Sequence, residues 1–172
     1  MRLRPIEKDD LPRFVEWFSD PEVRQYLDMY LPFSLAHEER WFEDLQERVE
    51  RQEVVMLTIV ASDGIQIGNI SLFNIKWKDR YAELGITIGE KAYWGQGYGS
   101  DAIRTMLRLA FEEMNLHRVF LRVHADNARG ISCYEKVGFK HEGTLRDSVF
   151  REGEYLDVHL MGILASEFNH RA

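Results

Sequence analysis

The segment that most constrains the fold of this chain runs from Ile86 to Ser100, with the sequence ITIGEKAYWGQGYGS. A strand pattern ends in a loop, and an amphipathic helix follows directly. Glycines at 95, 97 and 99 let the loop backbone approach a ligand closely and turn successive N–H groups the same way. Because a helix start adds unpaired donors and a positive dipole end, the segment predicts an anion site, such as one for pyrophosphate. The alternative is a flexible connection without a ligand.

Two nucleotide-binding motifs differ from this segment. A Walker phosphate loop needs Gly-Lys-Ser/Thr, which is absent. A dinucleotide fingerprint needs Gly-x-Gly-x-x-Gly directly after a strand, whereas the spacing here is Gly-x-Gly-x-Gly, several residues beyond the apolar part of the strand. Asp126 lies too far along the chain to serve as the ribose-binding acid. The sequence therefore disfavours a dinucleotide-dependent enzyme.

The helix and strand signals predict an α/β fold with the order β-α-α-β-β-β-α-β-α-β-β, in which a mixed, mostly antiparallel sheet is flanked by helices in a single domain over residues 1–172. Residues 1–6 favour a strand, Asp10 and Pro12 cap and open the first helix, and the second helix begins near Ser34. Its inner face is predicted to carry Trp41, Phe42, Leu45 and Val49. The other strands are predicted at 54–61, 65–73, 81–88, 118–123, 139–146 and 155–164, and the other helices at 99–114 and 127–137.

Composition narrows the class of protein further. A chain of 172 residues with 45% hydrophobic and 30% charged residues fits one globular domain, and a net charge of −7 argues against nonspecific nucleic-acid binding. The lone cysteine, Cys133, cannot form an internal disulfide, and no signal peptide or membrane-spanning run is present. No metal-ligand spacing occurs among the histidines. We therefore expect a cytoplasmic protein with no metal and no nucleic-acid or membrane partner.

Two separate segments resemble the GNAT superfamily of acetyl-CoA-dependent acetyltransferases. The family's cofactor motif, Gln/Arg-x-x-Gly-x-Gly/Ala, is similar to the glycine loop, with Trp94 at the first position and Gly97 and Gly99 at the others. Residues 127–139 resemble the family's Asn-x(6)-Tyr-x(3)-Gly-Phe segment. The Trp-Gly-Gln-Gly-Tyr variant and the terminal hairpin resemble the branch that contains the ribosomal-protein N-terminal acetyltransferases and related small-amine enzymes. The resemblance covers nearly the whole chain and implies acetyl-CoA as cosubstrate.

The resemblance also implies site residues. Tyr134 would protonate the departing CoA thiolate, although packing between helix and sheet is the alternative role. The backbone of Ile86 and Ile88 would pair with pantetheine, and Asn127 would bind the cofactor arm, with helix capping an equally good role. The other predicted cofactor-binding residues lie in the glycine loop: Gln96, Gly97, Tyr98, Gly99 and Ser100. Arg129 is either a phosphate ligand or a solvated arginine, and Cys133 is expected to be a packing group.

Strand alternation supplies a candidate base. Glu83, Gly85 and Thr87 share one face of the predicted strand, opposite Ala82, Leu84, Ile86 and Ile88. A carboxylate there would face the acceptor cleft and act as base, directly or through a water, or bind a cationic amine. The alternative is a solvent-facing glutamate, and His124 is the second candidate base. The aromatic connector at 29–33 is expected either to wall the acceptor site or to anchor the two helices.

The resemblance implies an N-acetyltransferase that transfers an acetyl group to a primary amine, either a protein N-terminus or a small molecule. The amine would attack the thioester directly in a ternary complex, and the protein would be a monomer or homodimer. A non-catalytic acyl-CoA-binding module with the same fold is the alternative function. The sequence leaves the identity of the amine open because fold membership does not fix a substrate.

Overall fold

A seven-stranded sheet organises the computed structural model, which describes residues 1–27 and 34–168. The strand order is β1-β2-β3-β4-β5-β7-β6, and every neighbouring pair is antiparallel except β4 and β5. The predicted mixed, mostly antiparallel α/β sheet is confirmed. The strands are β1 (Arg2–Pro5), β2 (Val55–Val60), β3 (Gln66–Lys76), β4 (Tyr81–Ile88), β5 (Arg118–His124), β6 (Lys140–Arg151) and β7 (Glu154–Leu164).

Helices cover both faces of this sheet, and each face has its own apolar core. The helices are α1 (Leu11–Ser19), α2 (Pro21–Arg24), α3 (Leu35–Glu50), α4 (Tyr98–Arg108) and α5 (Ala128–Val137). The larger core joins β3, β4 and β5 to the apolar stripe of α4, while α1 and α3 pack together in the second core. The predicted order holds, with the short α2 added and a π-helical turn, Leu109–Glu113, continuing α4.

Three local predictions were tested at helix and strand ends. Ser34 caps α3, since its Oγ accepts a hydrogen bond from the N–H of His37 at 3.2 Å, as the sequence predicts. Val49, predicted on the inner face of α3, is instead 40% exposed because it lies in the last turn. Strand β6 continues to Arg151 rather than ending at 146, because the hairpin turns only at Glu152 and Gly153, where φ is +53° and +91°.

The prediction that the Asp10 side chain caps α1 is wrong. Its carboxylate makes no cap hydrogen bond to the helix. It accepts two hydrogen bonds from the Arg4 guanidinium, at 2.7 and 2.6 Å, and one from the Thr58 hydroxyl at 2.9 Å. Burial alone would raise the pKa of Asp10, but these bonds and the Glu7 N–H outweigh it and hold the pKa below its usual value. The carboxylate therefore ties α1 to β1 and β2.

Strands β4 and β5 separate part-way along their length, and this opening positions the site. They pair only at Tyr81 with Arg118, Ala82 with Val119 and Glu83 with Phe120. Beyond that point β4 remains paired with β3, and β5 remains paired with β7. The connector predicted at 29–33 lies outside the described residues. Over the described residues, no helix combines the length and the apolar content needed to cross a bilayer.

Candidate active site

A cleft of about 320 Å³ lies beside the end of β4 that β5 leaves unpaired. The end of β4, the glycine loop and the starts of α4 and α5 form its walls. It brings together most of the residues predicted to bind the cofactor: Ile86, Ile88, Gly97, Tyr98, Gly99, Ser100 and Asn127. Gln96 is the exception, because its side-chain amide donates to the carbonyl of Ala92 and does not line the cleft.

The glycine loop has the geometry of an anion site. Gly95 and Gly97 have φ values of +74° and +88°, which side-chain-bearing residues rarely adopt, and the space beside each is open. No side chain caps α4, and the first N–H bonded to a preceding carbonyl is that of Asp101, to Gly97 at 3.0 Å. The three preceding N–H groups therefore remain available at the positive end of the helix dipole. These donors fit the pyrophosphate of a CoA molecule.

Trp94 occupies the position at which the family's cofactor motif has Gln or Arg. Its indole links the glycine loop to β4 by a hydrogen bond. The Nε1–H donates to the carbonyl of Ile88 at 2.7 Å. The guanidinium of Arg129 lies 3.8 Å from the centroid of the Trp94 ring, a cation–π contact that holds a positive charge over the cleft. The Trp94 side chain has no charge of its own, unlike an arginine at this position, but it positions the charged guanidinium of Arg129.

Asn127 performs the capping role that the sequence offered as an alternative. Its Oδ1 accepts a hydrogen bond from the N–H of Gly130 at 2.9 Å, which caps α5. Asn127 also lines the cleft, and its Nδ2 is not hydrogen-bonded to any described residue. Cys133 lies behind the glycine loop, with its Sγ 3.3 Å from the Oγ of Ser100. One asparagine therefore both starts α5 and retains a donor for a ligand.

A second cavity of about 270 Å³ meets the cleft along a shared wall. The residues that line both are Ile86, Ile88, Trp94, Asn127, Arg129 and Tyr134. The Tyr134 ring packs edge-on against Phe139, with centroids 6.0 Å apart, and its hydroxyl makes no hydrogen bond to any described residue. Burial, with a smaller effect of the neighbouring Cys133, raises the pKa of Tyr134 above its usual value. Its hydroxyl therefore stays protonated and able to donate.

The two candidate bases occupy different positions. Glu83 is 4% exposed, so it does not face solvent, yet it lines neither cavity. Its carboxylate accepts hydrogen bonds from Arg122 Nε at 2.7 Å and Asn74 Nδ2 at 3.0 Å. His124 lines the second cavity, and its Nδ1 lies 3.5 Å from Nη1 of Arg151. Of the two candidate bases, only His124 therefore lines the second cavity.

Comparison with known proteins decides the family. The model of the acetyltransferase (GNAT) domain matches residues 1–140. The chain belongs to the GNAT acetyltransferase family. It is an N-acetyltransferase with acetyl-CoA as cosubstrate, which confirms the predicted family, fold and activity.

Relatives of this acetyltransferase span nearly its full length. It is 30% identical to the spermidine N(1)-acetyltransferase of Vibrio cholerae, over 100% of this chain and 97% of that protein. It is 34% identical to the ribosomal N-acetyltransferase-like YdaF of Bacillus subtilis, over 96% of this chain and 92% of that protein. The crystal structure of the spermidine N-acetyltransferase from Vibrio cholerae in complex with CoA and spermine superposes with a TM-score of 0.88, at 26% identity and 96% coverage of both chains.

Sequence reasoning about this acetyltransferase missed three polar residues in the second cavity: Asn69, Ser71 and Arg122. The available signal was in β3, where Asn69 and Ser71 alternate with apolar residues and therefore share one face. Arg122 carried no such signal, because its place depends on the parallel pairing of β4 with β5. Over the described residues, no three His, Cys, Asp or Glu side chains are grouped to hold a metal ion.

Proposed function

We propose that this acetyltransferase moves the acetyl group directly to a primary amine in a ternary complex, with Tyr134 as the proton donor. Its place on the wall shared by the two cavities carries the proposal. CoA would fill the larger cavity and the amine the smaller one, so that the thioester lies beside Tyr134. The amine nitrogen forms a bond to the carbonyl carbon, and the C–S bond breaks. The sulfur takes the Tyr134 proton, the nitrogen gives its proton to the base, and solvent returns a proton to Tyr134.

Several contacts would hold CoA in this proposal. The N–H groups of Tyr98, Gly99 and Ser100 would donate to the pyrophosphate, and the Arg129 guanidinium would add a positive charge beside it. Pantetheine would lie along the edge of β4, at Ile86 and Ile88, that β5 leaves unpaired. The Nδ2 of Asn127 would donate to the same arm.

Glu83 stays our proposed base, and it would act through a water because Arg122 and Asn74 already hold its carboxylate. His124 is the competing assignment, since it lines the second cavity. The variants Glu83→Gln and His124→Gln separate the two in a pH profile of kcat. The variant that lacks the base should have a kcat about a hundredfold or more below wild type and should lose the fall of kcat at low pH. The variant that keeps the base should retain that fall. If both variants keep it, neither residue is the base.

A thiol-release assay with acetyl-CoA and a panel of primary amines tests the activity. The panel should contain spermidine, because a relative is named for it, together with amino acids and short peptides. We expect thiol release that depends on the added amine and matches the acetylated product measured by mass spectrometry. Tight acetyl-CoA binding by calorimetry, without turnover of any amine, would instead support a non-catalytic acyl-CoA-binding module.

We also propose a cytoplasmic location and a monomeric or homodimeric state. The single free cysteine, Cys133, supports a reducing compartment, because it has no partner in the chain for a disulfide. Sedimentation of the purified full-length chain with and without acetyl-CoA would measure the oligomeric state, and a species larger than a dimer would contradict that part of the proposal.

A further inference from the structure

The larger cavity has one part that borders the second cavity and one part that does not. The thioester of acetyl-CoA would lie at the shared wall, beside Tyr134, where an amine in the second cavity can reach it. The glycine loop, which would hold the pyrophosphate, lines the larger cavity alone. The adenosine follows the pyrophosphate in CoA, so it would lie in this unshared part. The residues of α5 that line the larger cavity alone are Gly130, Ser132, Cys133 and Lys136.

One face of α5 brings two cations to the larger cavity. Arg129, Ser132 and Lys136 follow one another at spacings of three and four residues, so they share one side of the helix, and all three line the cavity. The rise of a helix places Lys136 about 10.5 Å along the axis from Arg129. Among the described residues that line the cavity none is an Asp or Glu, although the chain has a net charge of −7. The cavity thus offers a ligand two separate positive charges.

The ammonium group of Lys136 is available to a ligand. Lys136 is exposed, and its Nζ makes no hydrogen bond or ion pair with a described residue. Its backbone carbonyl accepts a hydrogen bond from Nη2 of Arg104 at 3.1 Å, which brings a guanidinium to the same end of α5. The next lysine along the chain differs, because Nζ of Lys140 lies 2.5 Å from Oε1 of Glu167 and Lys140 lines neither cavity. Lys136 therefore keeps a charge that no bonded carboxylate of the described residues neutralises.

CoA carries a second anionic group besides the pyrophosphate, which the glycine loop and Arg129 would hold. This group is the 3′-phosphate on the adenosine ribose, and phosphate monoesters carry about 1.5 to 2 negative charges at pH 7. We infer that Lys136 binds the 3′-phosphate and thereby selects CoA over acetyl carriers that lack it, such as dephospho-CoA and phosphopantetheine. The ammonium of a lysine suits this role because it is a point charge on a flexible stem. The inference rests on the proposed placement of CoA in the larger cavity.

Calorimetry of the full chain with CoA and with 3′-dephospho-CoA at low salt tests the inference. The two ligands share the pyrophosphate and the pantetheine, so the contacts of those groups cancel in the comparison. We expect wild type to bind CoA about tenfold more tightly than dephospho-CoA, by a margin that shrinks as salt is added. Lys136→Gln should weaken CoA binding about tenfold and keep the affinity for dephospho-CoA within about twofold of wild type. Lys136→Arg, which keeps the charge, should retain a preference for CoA.

Two control variants separate this effect from a general loss of positive charge. Lys140→Gln changes the net charge of the protein equally and should keep both affinities within about twofold of wild type, since Lys140 lies outside the cavity. Arg129→Ala should weaken the binding of CoA and of dephospho-CoA by the same factor, because both ligands carry the pyrophosphate. Binding of dephospho-CoA with wild-type affinity also shows that the Lys136→Gln protein is folded.

Several results would overturn the inference: equal wild-type affinities for the two ligands, an equal loss for both in Lys136→Gln, or the same selective loss in Lys140→Gln. Lys136 also lies in the last turn of α5, where a cation stabilises the negative end of the helix dipole. A lower melting temperature of Lys136→Gln with an unchanged preference for CoA would assign Lys136 that role alone and contradict the inference. The proposed function is tested separately, because it fails when acetyl-CoA binds and no amine is acetylated.

Discussion

The variant Tyr134→Phe removes only the hydroxyl group, so it separates the proposed proton donation by Tyr134 from the packing of its ring. The hydroxyl makes no hydrogen bond to a described residue, and the ring, which packs against Phe139, is kept in Tyr134→Phe. Because no bond in the fold is broken, we expect the free energy of unfolding to change by less than about 0.5 kcal/mol. The KM for acetyl-CoA should also stay within about twofold of wild type, since the glycine loop is unaltered.

The expected loss of kcat follows from the leaving group. Positioned proton donors contribute about 10²- to 10⁴-fold to rates. A free thiol titrates near about 8.5, so a thiolate leaves comparatively easily and needs less help than an alkoxide. We therefore expect the lower end, a loss of about a hundredfold in kcat or about 2.7 kcal/mol of transition-state stabilisation.

The pH dependence of kcat tests the proposed acid role of Tyr134 independently. Burial raises the pKa of Tyr134, so the acid form persists above the usual range of tyrosine. The kcat of wild type should consequently show no falling limb up to about pH 10, the ordinary tyrosine value. Thiol release is measured with a chromogenic reagent against an enzyme blank, because Cys133 also carries a thiol. A Tyr134→Phe kcat within threefold of wild type would refute the assignment.

Three further predictions concern the cofactor cleft and the fold. Arg129→Ala removes the cation held over Trp94 and should weaken acetyl-CoA binding about tenfold in low-salt calorimetry, whereas Arg108→Ala, at the far end of α4, should not. Gly97→Ala forces a side chain into a positive-φ conformation and should lower the unfolding free energy by about 1 kcal/mol in a urea titration, with weaker acetyl-CoA binding; an unchanged midpoint would contradict the strain. Asp10→Asn should cost about 2 kcal/mol at pH 7. Because the folded pKa of Asp10 is lowered, the wild-type advantage is present above the unfolded pKa and is lost as the pH falls through the folded one, so thermal melts of the two proteins should converge in acid.

Much of the fold was readable from the sequence because its signals are local. The apolar residues of β4 and α4 follow their own periods of 2 and 3.6, and both stripes enter the larger core as predicted. Ser34 begins α3 by a hydrogen bond that spans three residues. The glycine loop was predictable for the same reason, since its positive-φ residues and the helix start adjoin in the chain.

The prediction from local pattern failed at Asp10, where a distant residue competes for the same group. Asp10 has the composition of a helix cap, but Arg4 and Thr58 take its carboxylate. The periodic pattern does not encode such a hydrogen bond, because it depends on how the strands and helices pack. The amide of Gln96 turns back to the carbonyl of Ala92, and its role in cofactor binding stays a prediction.

The sequence by itself determined the α/β class, the glycine loop as the candidate anion site, and the candidate acid Tyr134. Only the tertiary structure decided where the two cavities meet and which side chains line the second one. The reason is that β4 and β5 pair over three residues and then separate, so the site lies between strands that are distant in the chain. That separation places Tyr134 on the wall shared by the two cavities, and Arg122 lies over the carboxylate of Glu83.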